Sequence, residues 1–194
     1  MRAGLTGGIG AGKSAVARIL SDLGAYIVDT DALAREAAAP NSDGLREIAR
    51  AWPHVVRSGA LDRTALAEIV FSDPAARERL NAILHPHIRR LAMERDARAK
   101  PGQPIVHIVP LLFETGYDRL VDKTIVVVAP EDDRIARVAA RDGIDEKRIR
   151  ARMAAQIAPE EAQRRADYVV LNDGNLGALR ERTEQLYDEL TGAG

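Results

Sequence analysis

The sequence predicts an α/β fold built on a five-stranded parallel sheet flanked by helices, and three observations carry that prediction. Five apolar runs stand along the chain: Arg2 to Thr6, Ala25 to Val28, Pro104 to Val109, Lys123 to Val128 and Tyr168 to Leu171. They are near-continuous rather than alternating, the pattern of strands buried on both faces, and each is followed by sequence of helical character, so parallel pairing through right-handed crossovers is expected. A glycine-rich turn separates the first strand from a helix whose Val16, Ile19, Leu20 and Leu23 fall at helical spacing until Gly24 stops it. Two intervals, 31–100 and 131–165, are longer than a crossover needs and read as helical additions.

The turn reads LTGGIGAGKSAVARIL, and from Gly7 its spacing is G-x-x-x-x-G-K-S. That is a phosphate-binding loop, the Walker A motif. A triphosphate needs several N–H donors converging on one point, which a chain supplies by wrapping tightly around the anion with backbone angles that glycine tolerates best. Gly7, Gly8, Gly10 and Gly12 permit the wrap, with Ala11 and Ala15 contributing backbone. Lys13 is expected to reach the β- and γ-phosphates and Ser14 to give its hydroxyl to Mg²⁺, while the following helix turns its positive end to the phosphates. A glycine-rich hairpin would leave Lys13, Ser14 and the helix without a reason.

Composition bounds the rest. The 194 residues suit one globular unit with a sub-domain or lid, and 46% hydrophobic against 29% charged residues allows a substantial core. No cysteine is present, which excludes a disulfide framework, a zinc–cysteine site and thiol catalysis, and agrees with a cytoplasmic location. No apolar run approaches a membrane span, and the first strand begins too early for a signal peptide. With 28 basic and 29 acidic residues the net charge is −1, and only two Phe, four Tyr and one Trp are available for base stacking. Neither a nucleic acid, a membrane nor an obligate protein partner is expected.

The interval after the second strand reads as helices over about Asp31–Ala39, Ser42–Ala51, Asp62–Phe71, Pro74–Leu84 and Pro86–Ala99, with Pro40, Pro53, Gly59, Asp73-Pro74 and His85-Pro86 as punctuation. An insertion on this edge of the sheet suits an acceptor-substrate domain at 31–100, although plain structural packing is the alternative. Residues 1–30, 101–130 and 166–194 then form the core. In 131–165, Arg134, Arg137 and Arg141 share one helical face. Such a face is commonly solvated, but arginines can also close over a triphosphate, so this interval is expected to be a lid.

A GTPase would carry D-x-x-G and N-K-x-D, and this chain has neither. A transport or motor ATPase would need a signature loop or an acid-tipped strand. A small-molecule kinase remains. The combination of LTGGIGAGKS at the N-terminus, D-T-D at Asp29 to Asp31, L-N-A-I-L-H-P at Leu80 to Pro86, V-P-L-L-F-E at Val109 to Glu114, A-A-Q at Ala154 to Gln156 and the closing N-D-G resembles the dephospho-CoA kinase family over essentially the whole chain. The resemblance implies a P-loop kinase fold and ATP-dependent phosphorylation of the ribose 3′-hydroxyl of dephospho-CoA, the last step of coenzyme A synthesis.

The resemblance also implies roles. Asp29 and Asp31 stand at the carboxyl end of a strand, where ligands of open α/β sheets collect. In the family pattern the second acid faces the acceptor, which makes Asp31 the general base; Asp29 holds a metal-bound water or fixes the loop, and helix capping is the alternative for both. Arg63 and His85 match positions around the acceptor, with His85 binding substrate or serving local structure. Pro110, Leu111 and Leu112 end the third strand beside the nucleotide, and Glu114 is placed to orient a basic partner. Arg137 and Arg141 match R-x-x-x-R-D, with Arg141 on the transferring phosphate. Three positions depart from the pattern: Ala15 for Thr, Ile108 for Asp, which leaves the metal resting on Ser14 and waters, and Arg134 for Gln. A nucleoside or nucleoside monophosphate kinase, and a nucleotide-sensing module without turnover, are the rival readings.

Overall fold

A computed structural model of the protein describes residues 1–192. The chain divides into two compact units, residues 1–28 with 99–194, and residues 29–98. The first contains a five-stranded sheet of β1 (Arg2–Gly7), β2 (Tyr26–Asp29, whose last residue opens the second unit), β5 (Ile105–Ile108), β6 (Lys123–Val128) and β7 (Tyr168–Leu171). Its order is β2-β5-β1-β6-β7, and β1 runs parallel to both neighbours, with Gly4 opposite His107 on one side and Thr124 on the other. The β6–β7 pair is parallel as well. Strand β1 is thus central, and the loop after it leaves the middle of the sheet.

Each face of this sheet is covered by apolar side chains. On one, Val16, Ile19 and Leu20 of α1 (Lys13–Asp22) and Leu179, Leu186 and Leu190 of α9 (Leu176–Thr191) pack on Leu5, Val106, Ile125 and Val127. On the other, Val126 meets Val109, Leu112, Phe113 and Ala162, the last from α8 (Pro159–Arg165). Leu5, Leu20, Leu112, Ile125 and Leu179 are essentially inaccessible, so each removes most of its apolar area from water. Two expectations fail here. No helix follows β5; a tight turn and a 3-10 turn at Tyr117–Leu120 lead straight to β6. Strand β7 is also not buried on both faces: it is an edge strand, and Val169 and Leu171 are exposed in alternation.

The remaining helices of this unit are α6 (Glu131–Asp142) and α7 (Glu146–Ala154). Gly143, with φ 64°, ends α6, and Asp145 caps α7 by accepting the Arg148 N–H at 2.8 Å.

The second unit is helical: α2 (Thr30–Ala37), α3 (Asp43–Ala51), α4 (Arg63–Ser72) and α5 (Pro74–Asp96) surround Ala38, Ile48, Val55 and Leu66. Ser42, Asp62 and Asp73 are side-chain N-caps of α3, α4 and α5. The break expected at His85-Pro86 does not exist, because α5 runs for 23 residues through Pro86. Proline removes one backbone donor there, and Leu80, Ile83 and Leu84 before it, packed on the Ile48–Leu66 core, hold the helix together. A two-stranded hairpin, β3 (Val56–Arg57) with β4 (Ala60–Leu61), also stands where only a loop was expected. Its turn residues Ser58 and Gly59 both have positive φ, the geometry of a two-residue type I′ connection.

Candidate active site

The phosphate loop fills the step from β1 to α1. Gly12, at φ 104°, is the residue before the helix, a conformation that costs a side chain dearly. A Cβ at Gly12 would also strike the amide of Asn172. That amide is structural: buried Asn172 donates from Nδ2 to the Ala11 carbonyl at 2.8 Å, tying the loop to the end of β7. Gly8 needs its bare Cα for another reason, since a Cβ there would meet the guanidinium of Arg134.

Lys13 reaches back over the loop and donates from Nζ to the carbonyls of Gly7 at 2.5 Å and Gly8 at 3.2 Å. These two carbonyls hold its ammonium at the mouth of the loop, and a phosphate can replace them. Ser14 is exposed one residue further along α1.

The 131–165 segment meets this loop directly. Arg134, 6% exposed, donates from Nε to the Ile9 carbonyl at 3.0 Å, while Gln156 accepts the Ile9 N–H at Oε1 at 2.8 Å. Arg137 makes a longer contact with the Gly10 carbonyl, 3.4 Å, and pairs with Asp133 at the same distance. Arg141 points elsewhere: it forms a two-point pair with Asp142, at 2.7 and 3.1 Å, whose hydrogen bond raises the pKa of Arg141 and lowers that of Asp142. Neither Arg134 nor Gln156 was expected at the loop. For Arg134 the sequence offered only its helical register with Arg137, and for Gln156 only its place in the A-A-Q run.

A cavity of about 370 Å³ opens between the loop, the face of β6 and the α7–α8 turn. Gly7, Gly8, Pro110, Glu114, Arg134 and Gln156 contribute to its wall. Pro110 also accepts a hydrogen bond from the Thr6 hydroxyl at 3.4 Å. Leu111 is exposed, whereas Leu112 is fully buried against Gly4. Glu114 meets a backbone amide rather than a basic side chain, accepting the Ile157 N–H at 3.0 Å.

The dephospho-CoA kinase family model matches residues 1–178. This chain belongs to the dephospho-CoA kinase family. It is 46% identical over 192 residues to the dephospho-CoA kinase of Moorella thermoacetica, covering 96% of this chain and 91% of that one. A crystal structure from Thermus thermophilus, 39% identical, superposes with a TM-score of 0.87 over 98% of this chain and 97% of that one. The dephospho-CoA kinase of Campylobacter jejuni, 27% identical, does so with 0.73 over 99% and 98%. The chain accordingly has the P-loop kinase fold, uses ATP and acts on a small-molecule substrate.

The other residues singled out for the dephospho-CoA kinase reaction lie in the helical unit. Asp29 caps α2, accepting the N–H groups of Asp31 at 2.9 Å and Ala32 at 3.2 Å through Oδ1, and its Oδ2 lies 3.9 Å from Arg35. Asp31 sits exposed in the first turn of that helix. Arg63 opens α4. His85 lies half-buried within α5, where burial and then the charge of Arg89 lower its pKa and favour the neutral imidazole.

Proposed function

We propose that this chain transfers the γ-phosphoryl group of ATP to the ribose 3′-hydroxyl of dephospho-CoA, giving coenzyme A and ADP. The observation that supports it most is the P-loop of a whole-chain dephospho-CoA kinase relative, with Lys13 poised over Gly7 and Gly8. In the transfer, the hydroxyl oxygen bonds to the γ-phosphorus, the bond from that phosphorus to the β–γ bridging oxygen breaks, and the hydroxyl proton passes to Asp31. Lys13 and the loop N–H groups hold the donor and neutralise its charge. Arg137 and Arg141 approach the triphosphate when the 131–165 lid closes, and Arg141 must first exchange Asp142 for phosphate. Arg63 and His85 are assigned to acceptor binding, as are Pro110, Leu111 and Glu114, whereas Leu112, fully buried against Gly4, is a packing residue that the acceptor does not reach.

Mg²⁺ fits the donor set. It favours a few protein oxygens supplemented by phosphate and water, and the exposed Ser14 hydroxyl is such an oxygen. Asp29 spends Oδ1 on the α2 cap, and its Oδ2, 3.9 Å from Arg35, is the oxygen assigned to a metal-bound water. The ion, when bound, offsets charge on the β- and γ-phosphates. We further propose that the reaction runs in the cytoplasm without a nucleic acid, membrane or obligate protein partner; no described helix is long and apolar enough to cross a membrane.

The test is to incubate the protein with ATP, Mg²⁺ and dephospho-CoA and identify the product by mass and phosphorus NMR. A new 3′-phosphomonoester is expected. Phosphate at another position, or none, contradicts the proposal.

A further inference from the structure

Between residues 131 and 165 the chain carries eight arginines, and seven of them have a carboxylate within 4 Å: Arg137 and Asp133, Arg141 and Arg152 with Asp142, Arg148 and Asp145, Arg150 with Glu131 and Glu146, Arg164 and Glu161, Arg165 and Asp118. Arg134 is the exception, and it is also a buried one, at 6% exposure. A buried cation without a counterion is costly, so its place in the fold calls for a reason. Its Nε is spent on the Ile9 carbonyl, 3.0 Å away, and its two η nitrogens have no hydrogen-bond or ion-pair partner among the described residues. The carboxylate that most influences it, Glu131 one turn earlier, is engaged by Arg150. Burial draws the guanidinium pKa down and Glu131 draws it back, yet arginine stays charged at any physiological pH.

The direction of the guanidinium supplies the reason. It lies against Gly8, in the space that a side chain there would need, and it lines the 370 Å³ cavity beside the phosphate loop. Lys13 Nζ contacts the Gly8 carbonyl. Two cations therefore meet at Gly8, and only one of them belongs to the Walker motif. A planar guanidinium with two η nitrogens to offer matches two oxygens of a phosphoryl group, where an ammonium supplies a point charge.

We infer that Arg134 is a second phosphate-binding cation of this site, contacting the γ-phosphoryl group beside Lys13. Charge on that group spreads over its outer oxygens as transfer proceeds, so the contact strengthens toward the transition state. The inference rests on the kinase reading above for its ligand, an inorganic or nucleoside triphosphate, and goes beyond it in adding a residue outside the P-loop and outside the R-x-x-x-R-D pair.

The experiment compares ATP and ADP binding by calorimetry in the parent, Arg134→Gln and Arg134→Lys, with melting temperature and kcat measured beside them. Arg134→Gln keeps a donor for Ile9 but loses the charge. We expect it to bind ATP roughly tenfold or more weakly, ADP within about threefold of the parent, and to lose more in kcat than in KM. Arg134→Lys should recover part of the ATP affinity. Equal weakening of ATP and ADP with a lowered melting temperature would mean a strut for the loop and would overturn the inference, as would parental ATP binding. If Arg134→Gln does not fold, Arg134→Lys decides by the same ATP-to-ADP comparison. Failure of the parent to phosphorylate dephospho-CoA would instead sink the acceptor assignment, leaving the nucleotide comparison intact.

Discussion

Gln156 accepts the backbone N–H of Ile9, at the crest of the phosphate loop, at 2.8 Å. Arg134 donates to the carbonyl of the same residue, so the peptide units on either side of Ile9 are both held by the segment that is expected to move as a lid. Loop order and lid position are thereby linked. Gln156→Leu keeps the bulk and removes the acceptor. A part-buried hydrogen bond of this kind is worth about 1 kcal/mol, so the Ile9 amide should exchange roughly fivefold faster by NMR, with the global melting temperature nearly unchanged. Unaltered exchange at Ile9 would show that the contact does not hold the loop.

Lys13→Ala should abolish turnover in a folded protein, because the lysine is the one cation of the phosphate loop itself and neutralises charge on the phosphates that the loop N–H groups hold. Circular dichroism establishes the fold, and ADP release the activity. Near-parental turnover would remove the P-loop from the mechanism.

Gly12→Ala should be more damaging than its size suggests. It forces a side chain into φ 104° and into the amide of Asn172, whose bond to Ala11 secures the loop. ATP affinity should fall by roughly tenfold or more, with stability lowered by about 1–3 kcal/mol, the ordinary range for such strain. Titration with ATP and thermal unfolding give the two numbers independently.

Asp31→Asn removes charge but keeps size, and turnover should drop by about a hundredfold, the scale of a lost general base, while ATP affinity stays close to the parent. Asp29→Asn is the companion. As a cap of α2 it should cost about 1 kcal/mol or less of stability, and it should affect Mg²⁺-dependent steps more than proton transfer. Turnover lost in Asp29→Asn and kept in Asp31→Asn would exchange the two roles.

Asp167 accepts the N–H and hydroxyl of Thr124 at 2.8 and 2.7 Å and pairs with Lys123 at 3.1 Å. Burial raises its pKa, but the Thr124 bonds and Lys123 together outweigh that and hold it below the ordinary aspartate value. A folded pKa below the unfolded one means stabilisation that is complete above the unfolded value, near 4, and is lost as pH falls through the folded value. The parent should therefore destabilise more steeply than Asp167→Asn in acid, as read from melting temperatures between pH 7 and pH 3. Parallel curves would contradict this.

Much of this architecture was legible in the sequence, and the losses have physical causes. Strands β6 and β7 fall on their apolar runs because Lys123 and Asp167 bound them with polar groups, and Ser42 and Asp62 announce their helices as caps. The hairpin at Val56–Leu61 was hidden because each strand has two residues, too few for alternation to register. Helix α5 was cut at Pro86 because local propensity weighs the missing N–H and not the packing that bridges it. In the site, the P-loop was legible because its chemistry is local. Arg134 and Gln156 were not, since their partner Ile9 lies 125 and 147 residues away and no spacing rule reaches across that separation.

The most direct test of the central claim is a coupled ADP-release assay that offers the protein dephospho-CoA, each nucleoside monophosphate and no acceptor in parallel, with ATP and Mg²⁺ throughout. ADP release with dephospho-CoA at least about a hundredfold above the other arms, a margin well within what a matched polar site gives, is the predicted result. Comparable release with a nucleoside monophosphate, or none with any acceptor, would contradict it.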